Sequence, residues 1–168
     1  YGEDGFVQSI LESLKIPYTH SGVLSSSLAM DKELSRLIFI KNNIKVPKYF
    51  LSQRDYEENL NKKINNKKIK FPLVIKPVSE GSSLGVFICK TKKQFTSKYK
   101  KLMEKYDRIL VEEYIPGREI QVAVMGEKAL GAIELVPKRQ FYDYTAKYSN
   151  AARTKHIMPA PLSPKKYK

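Results

Sequence analysis

The sequence FPLVIKPVSEGSSLGVFICK, residues 71–90, places two short apolar runs on either side of a loop rich in Ser and Gly. Each run has the length and the branched side chains of a β-strand. Lys76 stands at the end of the first run, and the loop after it carries Ser82 and Ser83 among small residues whose backbone N–H groups can approach an anion. Neither a P-loop nor a Rossmann glycine motif is present. The segment predicts either a phosphate-binding hairpin of another fold or a plain Ser/Gly turn beside a surface lysine.

The sequence on both sides of this hairpin alternates between helical and strand periods. Upstream, the patterns predict helices over 4–14 and 25–42, a strand over 46–51 and a helix over 55–64. Downstream, they predict a helix over 92–105 and strands over 108–114, 119–126 and 129–137. Residues 138–164 lose periodicity, which is typical of a long functional loop. We therefore expect a mixed α/β (α+β) protein.

Apolar residues recur on one face of each of three predicted helices, the pattern of helices that pack on a core. The first helix carries Phe6, Val7, Ile10, Leu11 and Leu14, the second Leu34, Leu37 and Ile38, and the one over 92–105 carries Phe95, Tyr99, Leu102 and Met103. Asp4 is expected to cap the first helix.

Composition narrows the class of protein. The 168 residues suffice for one domain or pieces of two, and no apolar run is long enough to span a membrane. One cysteine and two histidines exclude an internal disulfide and a zinc site made by the protein alone, and indicate a cytoplasmic protein. The net charge of +14 favours binding to a polyanionic partner. However, the 25 lysines are scattered and only 6 arginines are present, so a module that binds RNA or anionic lipid is the weaker alternative.

A second candidate segment, ILVEEYIPGRE (residues 109–119), ends an apolar strand in carboxylates. Glu112, Glu113 and Glu119 could accept hydrogen bonds from an adenine amino group and from ribose hydroxyls, while Tyr114 and Ile115 offer an apolar wall. The competing interpretation is an ordinary strand with a salt-bridged rim.

Four blocks of the sequence, in this order, resemble signature blocks of the D-alanine–D-alanine ligase family of ATP-grasp enzymes. They are EDGFVQSILESLKIPYTHSGVLSSSLAMDK (3–32), KPVSEGSSLGV (76–86), VEEYIPGREIQVAVMG (111–126) and FYDYTAKY (141–148). The resemblance covers essentially the whole chain, which corresponds to the middle portion of a longer family member. It implies a partial ATP-grasp fold: the end of the N-terminal substrate domain (1–28), the central subdomain (29–116) and the start of the C-terminal subdomain (117–168), with a mobile lid at about 138–160.

The resemblance also implies an activity. In the family, ATP phosphorylates the carboxylate of one D-alanine, and the amine of a second D-alanine attacks the acyl phosphate to form a dipeptide for peptidoglycan. We expect ATP and two D-alanines as ligands, magnesium with ligands beyond Lys168, neither nucleic acid nor membrane as partner, and room for a homodimer in the complete enzyme. Alternatives are another ATP-grasp carboxylate–amine ligase, such as a carboxylase or a D-alanine–D-lactate ligase. The block 141–148, with Tyr148, argues against both.

The nucleotide roles carried over by resemblance fall on positions that match the family blocks. Lys32, Lys76 and Lys147 match lysines that contact the phosphates, and Glu112 matches the acceptor of the adenine amino group. The backbone of Glu113 and Ile115 is expected to read the purine edge, Tyr114 to line it, and Glu119 to bind the ribose. Many relatives carry Lys and Trp or Phe where this chain has Glu113 and Tyr114, so one lysine that could assist at the phosphates is missing.

The substrate roles carried over by resemblance involve four residues. Ser82 matches a serine that positions D-alanine, and Ser83 lies beside it in the loop that covers the phosphates. Tyr148 matches a tyrosine that hydrogen-bonds this serine from the lid. Glu3 matches an acidic residue near the D-alanine site. The resemblance assigns no metal ligand within the chain.

Overall fold

The computed structural model describes residues 1–54, 60–137 and 154–164. Within these ranges the chain forms five helices and seven strands, which confirms the mixed class predicted from the sequence. In chain order they are α1 (Phe6–Ser13), α2 (Val23–Met30), α3 (Lys32–Lys41), β1 (Tyr49–Gln53), α4 (Leu60–Asn66), β2 (Leu73–Pro77), β3 (Phe87–Cys89), α5 (Lys92–Lys105), β4 (Arg108–Glu113), β5 (Glu119–Met125), β6 (Lys128–Val136) and β7 (Lys155–Ile157). None of the helices in the described ranges is long and apolar enough to cross a bilayer.

The chain divides into two compact units, Tyr1–Tyr114 and Ile115–Lys168. The first unit is built on a four-stranded antiparallel sheet in the order β1-β4-β2-β3. The second is built on a three-stranded antiparallel sheet in the order β5-β6-β7. The predicted separation of residues 1–28 from 29–116 as different domains stays a prediction.

The core of the first unit lies on one face of its sheet. Side chains alternate between the two faces of a strand, and β2 follows this rule with Leu73 and Ile75 fully buried. These residues pack with alternate residues of β4 and with Phe95 and Leu102 of α5. The opposite face carries Val74 and Lys76 and is therefore available for polar chemistry.

Helix α5 spans Lys92–Lys105, as the periodicity predicts. Thr91 caps its first turn by accepting a hydrogen bond from the Gln94 amide at 3.3 Å. Of its four predicted inward residues, Phe95 and Leu102 are buried, while Tyr99 and Met103 pack against the core at its edge. Tyr99 also explains why Ser52 is buried, because the two hydroxyls lie 2.6 Å apart.

The single helix predicted over residues 25–42 is wrong, because the structure has two helices that meet at Asp31. The backbone of Asp31 is extended, and its carboxylate accepts hydrogen bonds from the amides of Glu33 and Leu34, each at 3.0 Å. A side chain that caps a new helix thus replaces the backbone bonds that would continue the old one.

The apolar faces expected to pack on a core are exposed on α1 and α3. Leu37, for example, is 52% exposed, whereas the buried residue of α3 is Arg36. On α1 the buried residue is Gln8, which donates a hydrogen bond to the Gly2 carbonyl at 3.1 Å. The periodicity correctly predicts helices here, but the buried residue of each is polar, and the apolar spacing does not indicate it.

Two element boundaries differ from the prediction for local reasons. Strand β1 starts at Tyr49 and not at residue 46, since Pro47 has no N–H to donate to a neighbouring strand. Helix α1 starts at Phe6 and ends at Ser13, and Asp4 accepts a hydrogen bond from the Phe6 amide at 3.0 Å one residue before the helix cap. The helix predicted over 55–64 has its described part at Leu60–Asn66.

The second unit begins with the predicted hairpin of β5 and β6, which turns at Gly126 with φ 59°. The prediction that residues 138–164 hold no regular element is wrong at its end, because Lys155–Ile157 forms β7 and pairs with β6. Three residues are too few to show a period, so only pairing across the sheet reveals this strand. Residues 138–153 of the expected lid lie outside the described residues.

Candidate functional site

The carboxylate of Glu112 is the centre of a buried charged cluster on the polar face of the first sheet. Glu112 pairs across the sheet with Tyr49 of β1 and Val74 of β2, so its side chain shares a face with Lys76, two residues along β2. The Lys76 Nζ lies 2.5 Å from Glu112 Oε1. Glu112 is only 5% exposed. The structure thus joins the lysine of the first candidate segment to a carboxylate of the second.

Arg36 of α3 contacts the other oxygen of the same carboxylate. Its Nη2 donates to Glu112 Oε2, and the side chains of both residues are almost completely buried. The guanidinium also lies over the ring of Tyr49, 5.2 Å from its centroid. Two cations therefore hold one buried carboxylate, which fixes its position on the sheet.

Lys32 begins α3 and turns its ammonium group toward the loop after β2. Its Nζ donates to the carbonyl oxygens of Val78, at 3.1 Å, and Glu80. Burial lowers the pKa of Lys32, and the positive charge of Lys76 lowers it further. Lys32 and Lys76 are thus close enough to repel each other, and an anion bound between them would relieve that repulsion.

The loop between β2 and β3 has an unusual backbone. Ser82 and Ser83 adopt left-handed conformations, with φ 49° and 62°, and Gly85 follows with φ 69°. A Cβ on Gly85 would lie 2.8 Å from the ring of Pro77, so this position requires glycine for two reasons. The glycine and the serines bring the loop close to the end of β2, where Lys76 stands.

A cleft of about 640 Å³ opens between this loop and the N-terminal residues of the chain. Glu3 and Ser82, which the sequence assigns to one substrate, both line it. The other lining residues are Tyr1, Gly2, Asp4, Ser27, Met30, Asp31, Ser79, Glu80, Gly81 and Leu84. Carboxylates together with a hydroxyl can bind a small zwitterion through its ammonium group.

The remaining residues predicted for the nucleotide are divided between the two units. Glu113 uses its carboxylate to accept a hydrogen bond from the Lys48 amide at 3.0 Å, and its own amide donates to the Lys48 carbonyl. Tyr114 is partly buried at the end of the first unit. Ile115 and Glu119 belong to the second unit, where Glu119 begins β5 opposite Leu135. The side chain of Glu113 is thus engaged, which leaves its backbone for the predicted role.

Lys147 and Tyr148 lie outside the described residues. Their predicted contacts with the phosphates and with Ser82 stay predictions.

Sequence reasoning missed three residues that support the site: Arg36, Asp31 and Arg108. Arg108 donates to the carboxylates of Asp31, at 2.7 Å, and Glu33, at 2.6 Å. Burial raises the pKa of Asp31, but hydrogen bonds from the Leu34 amide and from Arg108 outweigh it, so this pKa lies below its usual value. Arg108 thereby ties the start of α3, and so Lys32, to β4.

A sequence signal existed for two of the three. Asp31 stands immediately before an apolar-periodic run, the usual position of a helix cap. Arg36 is one helical turn after Lys32 and therefore lies on the same side of α3.

The sequence of this chain is similar to sequences of known proteins. A family model described as D-ala D-ala ligase C-terminus matches residues 38–168. A D-alanine–D-alanine ligase of Pelagibacter ubique (strain HTCC1062) is 56% identical over 164 residues, which are 97% of this chain and 53% of the relative. One from Wolbachia pipientis wMel is 43% identical over 169 residues, covering 100% of this chain and 51% of the relative. The chain spans about half the length of the curated relatives it matches.

Solved structures agree with these sequences. The crystal structure of D-alanine–D-alanine ligase from Bacillus anthracis superposes with a TM-score of 0.77 and 36% identity, over 97% of this chain and 51% of that chain. VanG D-Ala:D-Ser ligase from Enterococcus faecalis superposes with a TM-score of 0.83 and 34% identity, over 99% and 49%. A second Bacillus anthracis structure of this kind, complexed with ATP, superposes with a TM-score of 0.76 and 32% identity, over 97% and 50%.

Proposed function

Because the chain belongs to the D-alanine–D-alanine ligase family and carries part of its ATP-grasp fold, we propose that the protein joins two D-alanines in an ATP-dependent reaction. The dipeptide would serve peptidoglycan synthesis, and the use of ATP places the reaction in the cytoplasm. The observation that carries the proposal is the charged cluster in which Lys76 and Arg36 contact the buried carboxylate of Glu112, together with Lys32, whose pKa is lowered by burial and by the charge of Lys76.

This cluster suits the two ends of a nucleotide. Its cations outnumber the carboxylate that they surround, so it can neutralise phosphates, and point-charge lysines suit a phosphoryl group during transfer. We assign Lys32 and Lys76 to the phosphates. An ionised carboxylate only accepts hydrogen bonds, so Glu112 can recognise the amino group of adenine. By resemblance, the backbone of Glu113 and Ile115 would read the purine edge, Tyr114 would line it, and Glu119 would bind the ribose.

The cleft lined by Glu3 and Ser82 suits the first D-alanine. A carboxylate can hold the ammonium group of the amino acid, and a hydroxyl can position its carboxylate. Ser83 lies next in the loop and would cover the phosphates. We assign Lys147 to the phosphates and Tyr148 to a hydrogen bond with Ser82, as the resemblance implies.

The reaction that we propose has two steps. A carboxylate oxygen of the first D-alanine attacks the terminal phosphorus of ATP, and ADP leaves. The amine of the second D-alanine then attacks the carbonyl carbon of the acyl phosphate, losing a proton as phosphate leaves. The role of this chain is to hold the reacting groups in line, to neutralise the charge of the phosphates and to exclude water.

Magnesium is part of the family's chemistry, yet the described residues do not make a site for it. Within residues 1–54, 60–137 and 154–164, no group of three or more His, Cys, Asp or Glu side chains converges on one point. The magnesium ligands would lie beyond Lys168, as the resemblance implies.

The test of the proposed activity joins this chain to the half that it does not contain. The chain replaces the matching segment of the Pelagibacter ubique relative, which is 56% identical to it over 164 residues. We expect ADP release that depends on D-alanine, and D-serine and D-lactate are supplied separately as second substrates to identify the acceptor. Lys76→Ala should abolish most turnover, whereas Lys45→Ala, at an exposed position, should leave it unchanged. A folded chimera that releases no ADP with any of the three would contradict the proposal.

A further inference from the structure

Arg36 is a buried charge that the proposed reaction does not use directly. It is 9% exposed, and its guanidinium makes three contacts: with Glu112, with the Tyr49 ring and, through Nη1, with the Lys32 carbonyl at 3.3 Å. In the described part of the chain, its Nε is buried without a hydrogen-bond partner. A buried ion pair with an unsatisfied N–H is a weak source of stability, so packing alone does not account for an arginine here.

The position of Arg36 relative to Lys76 suggests a division of labour. Each cation contacts a different oxygen of the Glu112 carboxylate, Lys76 at Oε1 and Arg36 at Oε2. Lys76 stands at the end of β2, where the Ser/Gly loop begins, while Arg36 is fixed in the middle of α3. Lys76 can therefore turn to an arriving phosphate, whereas the contacts of Arg36 hold it at the carboxylate.

We infer that Arg36 is a positioning residue that holds the Glu112 carboxylate in its orientation when Lys76 turns to the phosphates, and that it thereby sets the selectivity for a 6-aminopurine. The inference rests on the proposed nucleotide site. An ionised carboxylate accepts a hydrogen bond from a 6-amino group and repels the 6-oxo group of hypoxanthine. A carboxylate that Arg36 no longer holds can rotate away from the base, and this discrimination is then lost.

The experiment compares the binding of ATP and ITP to the chimera with the Pelagibacter ubique relative by isothermal titration calorimetry. The two nucleotides differ at the 6-position of the base, so the ratio of their dissociation constants isolates recognition at that position. We expect Arg36→Gln to reduce the preference for ATP by about tenfold, the loss typical of one charge-assisted hydrogen bond. Arg36→Lys keeps the charge and should restore most of the preference.

Arg54→Gln is the matched control, because Arg54 forms an exposed ion pair with Asp107 at 3.1 Å. Its substitution should leave the ratio unchanged. Binding of tripolyphosphate, which has no base, should also be unchanged in Arg36→Gln.

A double-mutant cycle separates positioning from a merely structural role. If Arg36 acts through Glu112, then adding Arg36→Gln to Glu112→Gln should leave the ATP-to-ITP ratio of Glu112→Gln unchanged. This pair of variants also serves if Arg36→Gln alone does not fold, because the double variant removes the buried carboxylate together with Arg36 and leaves only Lys76, which is partly exposed, without its partner. A further loss of preference in the double variant would overturn the inference.

The outcomes also separate this inference from the proposed function. If the unsubstituted chimera binds neither nucleotide, the proposed nucleotide site fails, and the role of Arg36 fails with it. If it prefers ATP and a folded Arg36→Gln keeps the same preference, only the role of Arg36 is refuted.

Discussion

Replacing Lys76 by alanine is the most direct perturbation of the proposed nucleotide site. The substitution removes one of the three lysines assigned to the phosphates and one of the two cations on Glu112. Arg36 still pairs with Glu112, so the folded chain is not left with an isolated buried carboxylate. We therefore expect the variant to fold and its defect to appear in nucleotide binding.

The size of that defect follows from the burial of the lysine. The Lys76 side chain is 19% exposed, so water and salt screen its charge far less than that of a surface lysine. Losing a hydrogen bond to a charged group costs about 1.5–3 kcal/mol, which is roughly ten- to a hundredfold in affinity. Lys32 remains in place, so binding should weaken and not disappear.

Calorimetric titration of the chimera with ATP and with tripolyphosphate measures this loss. Both ligands should lose affinity to a similar degree, because the contact that we assign to Lys76 is with phosphate and not with the base. Lys45→Ala, at an exposed position, is the control and should bind both ligands normally. Unchanged affinity for tripolyphosphate in a folded Lys76→Ala variant would refute the assignment.

Three further predictions concern the structure that holds the site. Gly85→Ala should lower the free energy of unfolding, measured in urea, by about 1–3 kcal/mol, because the φ angle is 69° and a Cβ would lie 2.8 Å from the ring of Pro77. Gly2→Ala is the control and should change stability little, because nothing lies within 4 Å of a Cβ at that position. Leu73→Ala should lower the free energy of unfolding by about 2–5 kcal/mol, whereas Leu24→Ala, at an exposed position, should lower it by under about 0.5 kcal/mol. Similar losses for both variants would contradict the assigned core. The pKa of Asp31 is lower in the folded chain than in the unfolded one, so its contribution to stability is present above the unfolded pKa and is lost as the pH falls through the folded pKa. The difference in thermal stability between the native chain and Asp31→Asn should therefore shrink in acid, and a difference independent of pH would exclude this linkage.

Much of the fold was predictable because local sequence patterns determine most of its helices and strands. Helix α5 and the strands from β2 to β6 were predicted within a few residues, since apolar runs and helical spacing act over short stretches of chain. The nucleotide and substrate residues were predicted from blocks that resemble a known family. Among these residues, the structure brings Lys76 into contact with Glu112, and it places Glu3 and Ser82 in one cleft.

What the sequence by itself determined is thus the class of fold, most of the elements and the identity of the candidate residues, because each depends on residues near one another in the chain. Only the tertiary structure decided that α3 buries Arg36 and exposes Leu37, since the partner of Arg36 is Glu112, 76 residues away. Strand β7 exists for the same reason, as its three residues become a strand only by pairing with β6. Pairings across such distances depend on the folded backbone, and no periodicity in the sequence records them.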